Sequence, residues 1–478
     1  MLISLYTSRV VLNALGISDF GVYNVVGGVV AVFSILSSSL SNAISRFITF
    51  ELGKGTVERL KIIFSTSVII QIFTALIIIF LSEIIGVWFL NTQMNIPKGR
   101  MYAANWVLQC SILTFAVNLI SIPYNAAIIA HEKMSAFAYI SIVEGIAKVI
   151  IALILPLMFF DKLILYAILL LILSIFIRFI YTVYCHRHFE ECRYKFIIDR
   201  NLLKSMGSFA GWTMIGDAAG VLKNYGTNII ANVYCGTIVN AANGIAFQVN
   251  NAITGFSNNF TTAVSPQIIK KYSRNQIDEA YKLVMTTSRL SFMLLFFISA
   301  PIIAETPLIL KLWLKVVPDY TVIFVRLILI QSLVEIMALP LVTLQRATGK
   351  MRNYQLVVGI LHFMNFPMAW LFLYCGYNLA SIYVIAIGLA IITLFARLIM
   401  LKQTIDITIT LFIKNTVMRA LAVTVPMTLI LYFNYIYVEN PYLGFVVAFI
   451  TALLIIVCLG IKKEELALVI NKIKSKLR

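Results

Sequence analysis

Apolar runs long enough to cross a bilayer recur along this whole 478-residue chain. STSVIIQIFTALIIIFLSEIIGVWFL (65–90) and LILYAILLLILSIFI (163–177) are two of them. A helix needs about 20 apolar residues to cross a hydrocarbon core of about 30 Å, and only helices and closed barrels satisfy their backbones there. Continuous apolar runs of this length, without strict alternation, select the helix. Only 12% of the residues are charged, against about a quarter in soluble domains. The pattern predicts an all-α integral membrane protein with spans near 1–15, 21–50, 61–90, 101–129, 138–160, 163–184, 205–235, 240–266, 282–314, 320–345, 355–375, 378–400, 418–437 and 442–461, fourteen transmembrane helices in all.

The formal charge of +18 would suit a nucleic-acid partner if the charges were clustered on a soluble face. They are not. With the 53–61 loop taken as cytoplasmic, most of the 38 Lys and Arg fall in loops and tails on that same side. This is the positive-inside pattern, and it places both termini in the cytoplasm. The basic balance is topological, and no nucleic-acid partner is expected.

Several enzyme classes drop out next. The six cysteines are scattered and give no disulfide framework. Cys185, His186, His188 and Cys192 lie close together but lack a zinc-site spacing, so no metal is expected. Segments between spans are short and leave no room for an extramembrane domain. ELGKG (51–55) and ATGKM (347–351) lack the first glycine and the hydroxyl residue of a phosphate-binding loop. If this chain transports, it does not hydrolyse ATP itself, and no cofactor is expected.

The chain repeats itself. IPYNAAIIAHEKMSAF (122–137) aligns with LPLVTLQRATGKMRNY (339–354) at an offset of 217, and LGISDFGVYNVVGG (15–28) with CGTIVNAANGIAFQ (235–248) at 220. Two six-helix repeats followed by two further helices account for the fourteen. Repeats with an even number of spans share one orientation, which puts a substrate site near the midplane between them. The expected divisions are 1–197, 198–402 and 403–478.

Residues 240–266, NAANGIAFQVNNAITGFSNNFTTAVSP, contain six asparagines yet have the length of a span. Asn243, Asn250, Thr254, Asn258, Thr261 and Ser265 recur at helical spacing on one face, with Ile245, Val249, Ala252 and Phe256 opposite. Polar groups cannot face lipid tails, so this face meets protein or water. Two readings follow, the wall of a hydrated cavity or hydrogen bonding between packed helices.

Ionisable residues inside spans are costly and are functional candidates. Lys148 follows Glu144 by one turn, the favourable order for a helical ion pair. Asp217 and Lys223 lie in a glycine-rich span, GSFAGWTMIGDAAGVLKNYGTN (207–228). Arg9, Arg289 and Arg326 lie about two turns from a membrane face, near enough to snorkel. Glu335 lies deep in its span and could take a proton or sodium ion. The expected cationic cavity residues are thus Lys148, Lys223, Arg9, Arg289 and Arg326, with Glu144, Asp217 and Glu335 as ion-coupling candidates. Cations outnumber these carboxylates, which points to an anionic substrate.

TSRVVLNALGISDFGVYNVVGG (7–28), NTQMNIPKGRMYAANWVLQCS (91–111) and PYNAAIIAHEKM (123–134) resemble bacterial Wzx-type polysaccharide flippases of the multidrug/oligosaccharidyl-lipid/polysaccharide exporter superfamily. The resemblance runs along essentially the whole chain. It implies a MATE-like V-shaped pair of bundles in the bacterial inner membrane, working by alternating access. The implied cargo is an undecaprenyl-pyrophosphate-linked oligosaccharide for O-antigen, capsule or exopolysaccharide. Polymerases and glycosyltransferases of the same pathway are the implied partners. A multidrug exporter of the same superfamily and a flippase for the peptidoglycan lipid precursor stand as alternatives. A membrane glycan polymerase would want a large periplasmic loop, and the longest, near 91–100, is about ten residues, so no enzyme activity is expected. One departure concerns the start: span one is short for the core, and an upstream extension of mostly apolar residues is expected.

Overall fold

The computed structural model describes residues 34–54, 56–92, 96, 98–193, 199–235, 237–314, 317–437 and 440–461, with scattered positions between 7 and 26. Described secondary structure is helical throughout. It divides into two compact units, Met1–Met214 and Ile215–Arg478.

In the first unit the helices are α1 (Ser34–Lys54), α2 (Val57–Leu81, continuing through a π turn at Ser82–Gly86 to Thr92), α3 (Met101–Ala130), α4 (Met134–Ile154) and α5 (Lys162–His188). Helix α3 is the hub, packing against α1, α2 and α5. Helix α2 buries polar residues among apolar ones and turns an apolar stripe outward. Ser65, Thr66, Ser67 and Gln71 are buried, whereas Phe73, Leu76, Ile77 and Phe80 are exposed. A soluble protein shows the reverse, so the exposed stripe identifies a lipid-facing helix. Hydroxyls survive in this setting by bonding back one turn, as Ser67 Oγ does to Ile63 O at 2.7 Å.

The second unit begins inside α6 (Arg200–Cys235), an uninterrupted helix of 36 residues. The expected boundary at 197/198 precedes this helix, and the compact units divide within it. After it come α7 (Thr237–Ser273), α8 (Ile277–Ala304), α9 (Thr306–Trp313), α10 (Thr321–Thr348), α11 (Arg352–Phe363), α12 (Asn365–Tyr374), α13 (Ser381–Thr404), α14 (Met418–Tyr437) and α15 (Pro441–Ile455). Helix α10 is the hub here, against α7, α8 and α13, and α15 packs on α8. Gly349 stops α10 in the left-handed region, at φ 76°.

Ten described helices are long and apolar enough to cross a membrane. Helices α1, α6 and α7 are 21, 36 and 37 residues long but more polar. They overlap the spans expected at 21–50, 205–235 and 240–266. The span expected at 1–15 lies largely outside the described residues.

Helix limits repeat at the offsets read from the sequence. Val57 plus 220 gives Ile277, the first residue of α8, and Ala130 plus 217 gives Ala347, one residue before the end of α10. Pro123 in α3 and Pro340 in α10, 217 apart, are both inside helices.

Two networks fasten helix ends in the first unit. Arg100, preceding α3, bonds Asp161 at 2.6 Å and both carboxylate oxygens of Asp19. The Asp19 hydrogen bond raises the Arg100 guanidinium's affinity for its proton; burial opposes this, and Asp161 adds to it. Beyond α5, Glu191 contacts the His131 ring, which stacks on Phe189 with centroids 4.1 Å apart. Burial opposes the Glu191 charge, yet the His131 contact, its own backbone N–H and nearby cations hold its carboxyl below the usual range.

Candidate functional site

A cavity in the second unit has a volume of about 410 Å³. Its charged lining residues are Lys223 from α6 and Glu335 from α10. Lys223 Nζ donates to Glu335 Oε1 at 2.5 Å, and Gln331 Nε2 donates to the same oxygen at 2.9 Å. Gln331 and Glu335 are one turn apart, so α10 offers both to one wall. The lysine side chain is 9% exposed, the glutamate 42%, so the carboxylate opens on the cavity while the ammonium is held behind it.

Helix α7 supplies amides to the facing wall. Asn250 Oδ1 accepts from Ser332 Oγ at 2.7 Å, Asn243 Oδ1 accepts from the Tyr383 hydroxyl, and Asn251 also lines the space. Asn365, 2% exposed, lines this cavity and a smaller one of about 110 Å³ behind it, beside His362 and Arg397. Its Oδ1 is buried and takes no hydrogen bond from the described residues.

The first unit has its own polar cavity, of about 350 Å³. Lys148 Nζ donates to Glu144 Oε1 at 2.6 Å, with side chains 45% and 37% exposed. Asn118, Ser121, Asn125 and Tyr181 are among its other walls. The offset of 217 maps one cavity onto the other. Thr114, Asn118, Ile122, Lys148 and Ile177 line the first; Gln331, Glu335, Leu339, Asn365 and Leu394 line the second or its small neighbour. Each half of the chain therefore hollows out the same place among its helices and furnishes it differently.

Residues 1–271 match the polysaccharide biosynthesis protein family. The chain belongs to that family. No curated protein sequence matches it. Among solved structures it is similar to a MATE mutant, with a TM-score of 0.72 at 13% identity, over 84% of this chain and 91% of that one. A MOP superfamily transporter from Pyrococcus furiosus gives 0.71 at 13%, over 84% and 91%. A multidrug resistance MATE family transporter in an outward-facing conformation gives 0.71 at 15%, over 85% and 93%. These likenesses establish the fold. The polysaccharide biosynthesis family member is a multi-pass membrane protein with the fold seen in MATE and MOP superfamily transporters.

The candidate residues of this family member divide by location. Lys223, Glu335, Asn243 and Asn250 meet at the second-half cavity, and Lys148 and Glu144 at the first. Lys223 is not an isolated cation: in both cavities the lysine has a carboxylate partner. The expected surplus of charge is therefore absent from the lining of the second-half cavity, because residues 112 positions apart converge. Arg326 donates to the carbonyls of Ile303 and Ala304 at 2.9 and 3.0 Å. It caps the negative end of α8 and is not among the lining residues of the described cavities. Arg289 is 1% exposed within the helical core. Asp217 is partly buried on α6, outside the lining of the described cavities. Arg9 lies outside the described residues.

The polar face of α7 splits the same way. Asn243 and Asn250 reach the cavity; Thr261 instead meets Ser291 at 3.0 Å, and Ser265 meets Thr343 at 3.3 Å. Thr254 bonds back to Asn250 O at 2.8 Å, and Asn258 is exposed. The stretch lines a cavity along one part of the helix and bonds to neighbouring helices along another. Sequence reasoning did not single out Gln331, Ser332, Asn365, Tyr383 or Asn251. The repeat carried a signal for Asn365, which occupies the place of Lys148.

Proposed function

We propose that this membrane protein is a secondary-active flippase. It carries undecaprenyl-pyrophosphate-linked oligosaccharide units from the cytoplasmic to the periplasmic leaflet for surface polysaccharide assembly. The observation that carries the reading is the pairing of family and cavity: a polysaccharide biosynthesis protein with a transporter fold encloses a hydrogen-bonding cavity beside a lysine–carboxylate pair. A lipid tail can stay in the bilayer while a polar headgroup and glycan use such internal surfaces.

In this reading Lys148, half open on its cavity, meets the pyrophosphate, and Glu144 is displaced from it as the phosphate oxygens arrive. Ion pairs of this exposure are weak, so the exchange is accessible. Glu335 is the carboxylate proposed to exchange the coupling ion, a proton or sodium. Neutralising it would loosen its hold on Lys223 and bias the packing of α6 against α10, and such differential stabilisation can drive alternating access. The basic loops set both termini in the cytoplasm of a bacterial inner membrane.

The test is a deletion of the gene in its source bacterium, with lipid extracts analysed by mass spectrometry. Accumulation of an undecaprenyl-pyrophosphate oligosaccharide, reversed by the gene, is expected. Unchanged lipids together with new sensitivity to cationic dyes would reject the flippase and favour multidrug export.

A further inference from the structure

We infer that the second-half cavity is a carbohydrate subsite, which reads hydroxyl groups of the glycan; this rests on the cargo being a lipid-linked oligosaccharide. Charge is the first argument. Among its described lining residues, Lys223 and Glu335 cancel and every other side chain is uncharged. Such a lining has no net positive charge to hold a phosphate. It suits a neutral ligand that offers many hydrogen bonds.

The wall chemistry is the second argument. Amides carry both donors and acceptors, which matches the dual character of a sugar hydroxyl. Asn250, Asn251, Gln331 and Asn365 present amides from three different helices, with Phe247 as an apolar face beside them. The Asn365 side chain supplies the independent sign of a ligand, since its Oδ1 is buried beside the cavity and takes no hydrogen bond from the described residues. A buried acceptor of this kind calls for a donor. The volume of about 410 Å³ falls in the small-molecule range of about 300–1,000 Å³.

The internal repeat is the third. The place of Asn365 in the second half is that of Lys148 in the first. One cavity thus has a half-exposed ammonium and the other an uncharged amide at the equivalent point. That difference divides the labour: an anionic headgroup suits the first, hydroxyl groups the second. A site built to bond hydroxyls rejects analogues lacking them far better than an apolar pocket can. The second cavity is therefore where glycans would be told apart.

The experiment measures binding by the full chain in nanodiscs, with two probes. One is the lipid-linked oligosaccharide purified from the deletion strain; the other is undecaprenyl pyrophosphate without sugar. Asn365→Leu is expected to weaken binding of the glycolipid about tenfold and to leave the bare lipid within about twofold. Asn251→Leu, at an exposed position on the cavity wall, should shift the same ratio in the same direction, and it carries the test if Asn365→Leu fails to fold. Equal loss for both probes, or no loss for either, would overturn the subsite while leaving the flippase reading standing. Wild-type protein that binds neither probe would overturn both.

Discussion

Lys223 and Glu335, 112 residues apart, meet with Nζ and Oε1 2.5 Å from one another across α6 and α10. The lysine is buried and the carboxylate half open, so the pair is asymmetric: removal of the acid strands a buried cation, and removal of the base leaves an acid that still reaches the cavity. Breaking a fully buried pair from one side costs about 3–5 kcal/mol. Glu335→Gln should therefore lower stability by more than Lys223→Met, by about 2 kcal/mol after discounting for the open carboxylate. The double variant should recover most of the loss. Thermal unfolding of the detergent-purified variants measures this, and additive losses in the double variant would mean that the two charges do not depend on each other. Transport should fail in all three.

The alternation of α7 between cavity and packing shows how much of this site the sequence carried. Asparagines at helical spacing in an apolar chain had to face something polar, and Asn243 and Asn250 do. Spacing cannot say which partner each face meets, so Thr261 and Ser265 looked the same and belong to helix contacts instead. The convergence of Lys223 on Glu335 is a tertiary fact with no local trace. Arg326 likewise reads as a lone cation until α8 ends within its reach. Repeat offsets fared better, because they constrain position without partner. They link Asn118 to Glu335 and Lys148 to Asn365, whose residue types differ, and these pairs line the corresponding cavities.

Arg100 joins Asp19 to Asp161, and Asp161 does a second job. Its Oδ1 also accepts from the backbone of Leu163 and Ile164 at 3.0 and 3.3 Å, capping α5. Asp161→Asn keeps an acceptor for the cap and loses the ion pair, while Asp161→Ala loses both. Asn should cost about 0.5 kcal/mol, Ala about 1 kcal/mol more, since caps are worth about that. Arg100→Lys should also be harmful, because an ammonium cannot reproduce the fork that reaches two carboxylates. Equal melting temperatures for the two Asp161 variants would dismiss the capping role.

Acid should release the loop after α5. The Glu191 carboxyl is held below its ordinary range in the folded protein, so its contribution is full above the unfolded value of about 4.3 and disappears as pH falls through the lower folded value. Hydrogen exchange at residues 189–193 should stay slow at neutral pH and quicken below about pH 4, beyond the intrinsic change in exchange chemistry. Glu191→Gln should exchange faster at neutral pH and lose that added acid response. A variant that keeps the wild-type pH profile would locate the titration elsewhere.

Glycines on α6 separate into those that touch a neighbour and those that do not. A Cβ on Gly216 would overlap the side-chain amide of Gln355, which is 5% exposed, whereas a Cβ on Gly211 would meet nothing within 4 Å. The helical conformation suits alanine at both, and exchange of glycine for alanine inside a helix favours the helix by about 1 kcal/mol. Gly211→Ala should therefore hold or raise the melting temperature. Gly216→Ala must first push Gln355 from its place between helices, and overpacking of that kind costs about 1–3 kcal/mol. Gly216→Ala with Gln355→Ala should restore stability, since the shorter side chain makes room for the methyl. If Gly216→Ala is as stable as Gly211→Ala, the close approach of α6 to α11 does not constrain this position, and the helix has freedom there that its packing denies.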